Sequence, residues 1–154
     1  MKEKLKGLLA GIAVRIIALV TLGQISPILS ACVIIEQDGK VLLIDRSDKL
    51  GYTIPGGIVR YKETLEECVR RETSEETGYE IQITGLVGVY SSVERDPRFR
   101  AVSIAYKGCI RGGVEHSSVE GQPCWKVPES VLGQMAFDCE HMLNDYLCGQ
   151  QCLS

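Results

Sequence analysis

The stretch GIVRYKETLEECVRRETSEETGY, residues 57–79, decides how the rest of the chain is read. From Glu63 to Thr77 it holds neither Gly nor Pro and its composition favours a helix, which Gly78 is placed to stop as a C-terminal cap. At 100° per residue Leu65, Cys68 and Val69 form an apolar stripe. Glu72 and Glu76 continue that stripe and Glu75 lies beside them, because positions three and four apart are neighbours on a helix. A solvated face would set these glutamates opposite the stripe; extending it points them toward the interior or a cleft. Three carboxylates so placed repel one another and take up protons unless something compensates them. A hard divalent cation, Mg²⁺ or Mn²⁺, is the natural compensation, since it prefers carboxylate oxygens, water and phosphate. The plainer reading makes Glu66, Glu67, Glu72, Glu75 and Glu76, with Arg70 and Arg71, a salt-bridged surface helix.

Outward from this helix the pattern is one of strands. Ala31–Ile35 and Val41–Ile44 are short aliphatic runs separated by Asp38-Gly39, a hairpin signal. Gly51–Ile54 reads as a short strand entering a Pro55-Gly56-Gly57 turn. Beyond the helix, Ile81–Tyr90 and Ala101–Tyr106 read as strands, Pro123–Val127 as another, and Glu140–Leu147 as a closing helix. Mixed strands with two or three helices in 154 residues predict one α/β domain. With 45% apolar and 24% charged residues the chain has the composition of a folded protein. A net charge of −3 supplies no basic field for a nucleic acid polymer, whereas a small phosphorylated ligand remains compatible. The seven cysteines are odd in number and form no C-x-x-C pair, which argues against a disulfide framework or a zinc site and fits reduced thiols in a cytoplasmic setting.

Gly7 to Gly23 is almost wholly apolar, follows Lys2, Lys4 and Lys6, and is interrupted by Arg15. A spanning helix needs about 20 apolar residues and is penalised by a central Arg, so the run is a marginal span. Arg15 also breaks the apolar region that a lipoprotein-type leader ending before Cys32 would need. The expectation is an N-terminal apolar helix with a linker over 1–27. It either lies on a membrane surface through 5–23, or packs on its own domain or in a homodimer.

The flanks of the quoted stretch settle its reading. Gly57-x5-Glu63-x7-Arg71-Glu72-Thr73-x-Glu75-Glu76-x-Gly78-Tyr79 resembles the Nudix box, G-x5-E-x7-R-E-U-x-E-E-x-G-U with U a bulky aliphatic residue. Seven fixed residues at fixed spacing arise by chance on the order of once in a million such chains, taking average residue frequencies of about 6%. Two packing positions depart from the pattern, Thr73 and Tyr79. The resemblance implies a Nudix-type α/β/α sandwich with a mixed central sheet over 28–154, and hydrolysis of a phosphoanhydride in a nucleoside diphosphate derivative. It puts metal ligands at the carbonyl of Gly56 and at Glu72 and Glu76, with Glu75 a further ligand or the group that activates water. Arg71 would orient these carboxylates, Glu63 would anchor the loop to the helix, and Gly57 and Gly78 would be structural.

Outside the box, Glu120-Gly121-Gln122-Pro123 resembles the loop that carries an additional glutamate in Nudix enzymes acting on oxidised nucleoside triphosphates. Glu120 is therefore the candidate general base, with Glu94 and Glu115 behind it. Tyr90-Ser91-Ser92-Val93-Glu94-Arg95-Asp96-Pro97-Arg98 looks like the Y-S-x-P-x-R-D-P-R stretch of ADP-ribose pyrophosphatases, with Val93 in place of a proline, and Met135–Asp138 resembles a turn before their last helix. Arg95 and Arg98 are accordingly candidate phosphate contacts. ADP-ribose leads as substrate, nucleoside triphosphates follow, and a non-catalytic nucleotide-sensing module is disfavoured because Arg71, Glu72, Glu75 and Glu76 are all intact. An enzyme acting on a lipid-linked pyrophosphate at a membrane surface is a further alternative, motivated by Gly7 to Gly23.

Overall fold

A computed structural model of the chain describes residues 27–95 and 100–151, together with Leu9, Ile12, Ala13, Ile16, Ile17, Leu19 and Val20. The expected apolar helix over 7–23 lies largely outside the described residues, as does Arg98. Among the described residues no helix is long and apolar enough to cross a membrane.

The strands are β1 (Ile28–Gln37), β2 (Lys40–Arg46), β3 (Tyr52–Thr53), β4 (Gly56–Ile58), β5 (Tyr79–Tyr90), β6 (Ala101–Gly113) and β7 (Gly121–Lys126). The helices are α1 (Leu65–Thr77) and α2 (Cys139–Gln151), with a short 3₁₀ turn at Pro128–Val131. The sheet runs β3-β2-β1-β6-β5, with β4 added to β1 and β7 to β2. β1 and β6 are parallel and every other pairing is antiparallel, which makes the sheet mixed. Asp38 and Gly39 turn β1 into β2 with φ of 52° and 72°, the positive angles a two-residue hairpin loop requires.

β1 shows why the molecule has layers on both sides. Ala31, Val33 and Ile35 point into the core under α1, with Cys68, Val69, Ile104 and Tyr106. Cys32 and Ile34 point the other way, into a second core with Leu143, Met142 and Tyr146 of α2. A strand buried on both faces reads as a continuous apolar run, which is what Ala31–Ile35 is. The expected α/β/α sandwich is therefore present.

The ends of α1 are set by side chains. Thr64 accepts from the Glu67 N–H at 3.2 Å while Glu67 accepts from the Thr64 N–H at 2.8 Å, a reciprocal cap that starts the helix at Leu65 and leaves Glu63 outside it. Gly78 ends it at φ 80°, its N–H on the Ser74 carbonyl at 2.9 Å. Thr73, at a position where the motif has an aliphatic residue, is fully buried; its hydroxyl donates to the Val69 carbonyl at 2.7 Å, so no polar group is stranded.

Candidate active site

The Pro55-Gly56-Gly57 segment is not the simple turn that its composition suggests. Gly56 and Gly57 belong to β4 and pair with Cys32 and Ala31 of β1, so the two glycines form a floor of extended backbone beneath the last turns of α1. The absence of side chains there has a direct use. A Cβ on Gly57 would lie 2.5 Å from both Cδ and Oε1 of Glu72, so the carboxylate of Glu72 rests on the glycine itself. One turn on, Glu76 is 5% exposed and accepts a hydrogen bond from the Gly56 N–H at 2.9 Å. Burial pushes the Glu76 carboxyl up to about 8; the Gly56 bond opposes this, and the charges of Glu120 and Glu72 add to it.

Arg71 organises the rest. Its Nε and Nη2 grip both oxygens of Glu63 at 2.6 and 2.8 Å, a bidentate pair that straps the loop before α1 to the helix. Its Nη1 meets Glu72 at 2.6 Å and Glu75 at 3.2 Å. The Arg71 guanidinium, with the Arg60 N–H, holds the Glu63 carboxyl down at about 2. In this geometry Glu63 joins the loop before α1 to the helix, and Arg71 bridges Glu63, Glu72 and Glu75.

Of Glu72, Glu75 and Glu76, which were expected to converge on one cation, the structure sets Glu72 and Glu76 against Gly57 and Gly56 and leaves Glu75 apart from them. Among the described residues no three acidic, histidine or cysteine side chains form a ready metal cage. Glu75 is 52% exposed and turned toward Arg71 and Arg60, because Arg71 sits between it and Glu72. The Gly56 group that meets an acid is its N–H on Glu76. What converges is Glu76, Glu72 and the Gly56-Gly57 backbone.

Glu120 is exposed, and its charge bears on Glu76 and on Arg46. The pairing of β2 with β7 explains this, since Arg46 lies opposite Gly121 and the Ser47 N–H donates to the Glu120 carbonyl at 2.9 Å. Glu115 instead accepts from the Tyr79 hydroxyl at 2.9 Å, and Glu94 lies on a separate cleft beside Arg95.

Arg95 is not presented to solvent as a phosphate contact. It is 7% exposed on its side chain and grips Asp138 with Nε and Nη2 at 2.6 and 2.7 Å. A phosphate there would have to compete with a buried, bidentate carboxylate.

The residue that sequence reasoning missed is Arg46. Asp48 fixes its guanidinium at 3.0 and 2.6 Å, its carbon Cζ stands 5.2 Å from the Phe137 ring centroid, and its charge acts on Glu76. No motif marks it; the signal is the strand register that sets β2 against the Glu120 loop.

The assembly is a buried acid backed by further carboxylates, hard oxygen donors over a side-chain-free floor, and two ordered guanidinium groups, Arg71 among the carboxylates and Arg46 beside Asp48. Carboxylate oxygens gathered in such a place suit a divalent cation and the phosphates it would carry. A family model described as NUDIX domain matches residues 27–134. The chain is 39% identical over 117 residues to a protein named ADP-ribose pyrophosphatase from Methanocaldococcus jannaschii, covering 74% of this chain and 69% of that one. It is 36% identical over 107 residues to a MutT-like protein of Streptomyces ambofaciens, covering 69% and 67%. Among solved structures, a NUDIX hydrolase from Nitrosomonas europaea superposes with a TM-score of 0.71 at 20% identity, over 80% of this chain and 90% of that one.

Proposed function

This chain belongs to the NUDIX family of hydrolases, and from that premise we propose that it cleaves the diphosphate of ADP-ribose, or of a closely related nucleoside diphosphate derivative, with a bound divalent cation. The observation that carries the reading is the Glu76 carboxylate, held in the interior by the Gly56 N–H with Glu72 seated on Gly57 beside it. Glu72 and Glu76 would hold Mg²⁺ or Mn²⁺, joined by the Gly56 carbonyl and by Glu75 as the family resemblance implies. Bound there, the cation neutralises diphosphate charge and lowers the pKa of water.

The chain's own residues do the rest. Glu63 fixes Arg71, and Arg71 fixes Glu72 and restrains Glu75, so the carboxylates meet the substrate already oriented. Arg46, held by Asp48, faces the acidic mouth and meets phosphate oxygens. Glu120 takes the proton from the attacking water. The water oxygen bonds to phosphorus, the bridging P–O bond breaks, and AMP and ribose 5-phosphate leave.

A second reading, pyrophosphohydrolysis of nucleoside triphosphates, draws on the 36% identity to the MutT-like protein and on the Glu120 loop. A Mg²⁺-dependent hydrolysis screen separates the two: ADP-ribose, nucleotide sugars, dinucleoside polyphosphates, and normal and oxidised nucleoside triphosphates, each with Glu76→Gln as control. We expect ADP-ribose to be cut fastest and the variant to be inactive. Triphosphates cut faster would favour the second reading, and an active Glu76→Gln would remove the basis of both.

A further inference from the structure

The described residues of the N-terminal apolar segment, Leu9, Ile12, Ala13, Ile16, Ile17, Leu19 and Val20, are all helical and all exposed. Set out at 100° per residue, Leu9, Ile12, Ile16, Leu19 and Val20 fall within about 100° of one another and form one stripe. At the same spacing the smaller Ala10, Gly11, Val14 and Ala18 fall on the far side, and Arg15 falls at the margin. Exposure along the stripe runs from 44% at Ile12 to 78% at Leu19, so the folded domain leaves it open. Large aliphatic side chains gathered and exposed in this way mark a contact surface.

Charge selects the partner. Residues 1–35 carry Lys2, Lys4, Lys6 and Arg15 against Glu3 alone, a net of +3. The whole chain carries −3, so residues 36–154 carry −6. The cations are thus gathered at the stripe and its approach, while the rest of the molecule is acidic. An anionic surface attracts this end and repels the other, each within the ~10 Å reach of a charge at ordinary salt. A second copy of the chain is a poorer match. Leu9 to Val20 spans fewer than two heptads, where a coiled coil takes about 3–4, and pairing would bring two sets of four cations together with one acid in each. A bilayer-crossing helix is a poorer match too, because it takes about 20 apolar residues. Among the described residues no helix is long and apolar enough to cross.

We propose that the stripe is a surface anchor for an anionic lipid bilayer, with the N-terminal segment lying flat in the headgroup layer. Leu9, Ile12, Ile16, Leu19 and Val20 enter the acyl boundary to a depth of about 5–10 Å. Lys2, Lys4, Lys6 and Arg15 meet lipid phosphates, Arg15 by extending its stem from the margin of the stripe. The contact holds an acidic domain at a membrane that would otherwise repel it. The inference stands independently of the hydrolase reading, and its test needs no turnover.

The test is flotation of the full chain with vesicles of phosphatidylcholine alone and of phosphatidylcholine and phosphatidylglycerol in equal parts. The expected result is binding to the anionic vesicles and at least tenfold weaker binding to the neutral ones. Salt at about 1 M, where the screening length falls to about 3 Å, should weaken the anionic binding toward the neutral level. Lys4→Gln with Lys6→Gln should lower partition about 30-fold, and Leu19→Asp at least tenfold. Leu19 is exposed, so Leu19→Asp should keep the wild-type Tm. If the wild type floats with neither vesicle, or equally with both at every salt concentration, the proposal is overturned. It is equally overturned if Leu19→Asp binds like the wild type, since the stripe is then not the contact. Light scattering and an alkaline carbonate wash cover the other occupants. A dimer that Leu19→Asp dissociates, without vesicle binding, would give the stripe to a second copy, and resistance to the wash would make the segment a span; either result refutes the surface anchor.

Discussion

Substituting Gly57→Ala is the smallest change that isolates the placement of Glu72. The new methyl carbon would stand 2.5 Å from Glu72 Cδ and Oε1, where ordinary contact begins at 3.4 Å, so the carboxylate must retreat by about 0.9 Å. The three nearest atoms all belong to the carboxyl end of Glu72, a flexible side chain, so that side chain is what gives way first. Arg71 Nη1, at 2.6 Å from Glu72, and the Glu63 pair behind it oppose the retreat. A displacement near 1 Å in catalytic positioning costs about 100-fold in rate, equivalent to ~2.7 kcal/mol of transition-state stabilisation. We therefore expect kcat for ADP-ribose to fall about 100-fold with Tm lowered by only a few degrees, read by steady-state kinetics and calorimetry on the same preparation. Substituting Glu72→Asp in the Gly57→Ala background, which withdraws the carboxylate by one methylene, should recover part of the loss. Wild-type kcat in Gly57→Ala would show that Glu72 does not act from the place where it rests on the glycine.

Three further outcomes follow from the same geometry. Glu63 titrates at about 2 when folded against an ordinary value of 4.5, so its contribution to stability is complete above about pH 4.5 and is lost as pH falls toward 2. Glu63→Gln should flatten the acid limb of a Tm-against-pH curve in that window. Glu76 has the opposite sign. Held up to about 8, it keeps its proton when folded while the unfolded chain ionises near 4.5, so the metal-free protein should lose stability as pH rises from about 4.5 to 8. Added Mg²⁺ should accordingly raise Tm more at pH 8 than at pH 5, and Glu76→Gln should abolish that difference. Thr73→Val removes a buried hydroxyl that donates to the Val69 carbonyl, an oxygen that keeps its helical partner. The change in unfolding free energy should stay within about 1 kcal/mol by urea titration, with kcat unaltered.

The parts of the fold that local chemistry dictates were legible in the sequence. The Asp38-Gly39 hairpin and α1 with its Gly78 cap follow from spacing and residue type over short range, whereas the pairing of Glu63 with Arg71 was not read from either. α1 begins at Leu65 because the Thr64–Glu67 cap competes for its start, leaving Glu63 to serve Arg71. What stayed hidden depends on partners distant in the chain. Gly56-Gly57 has turn composition, and only its pairing to Ala31 and Cys32 makes it a strand. Arg95 reads as a cation available to phosphate until Asp138, forty-three positions on, closes over it. Arg46 carries no motif at all; its nearness to Glu120 arises from the β2–β7 register. Glu75 matches the motif as well as Glu72 does, but Arg71 stands between them and Arg60 draws it outward.

The central claim is that Glu76 and Glu72, on their glycine floor, hold a hard cation. Titration of the wild-type protein and Glu76→Gln with Mn²⁺, followed by the loss of the free-ion electron paramagnetic resonance signal, tests it without reference to any substrate. The account predicts saturable binding to the wild type at pH 8, with affinity lowered at least tenfold in Glu76→Gln and in Glu72→Gln. Equal Mn²⁺ affinity in the wild type and both variants would contradict it.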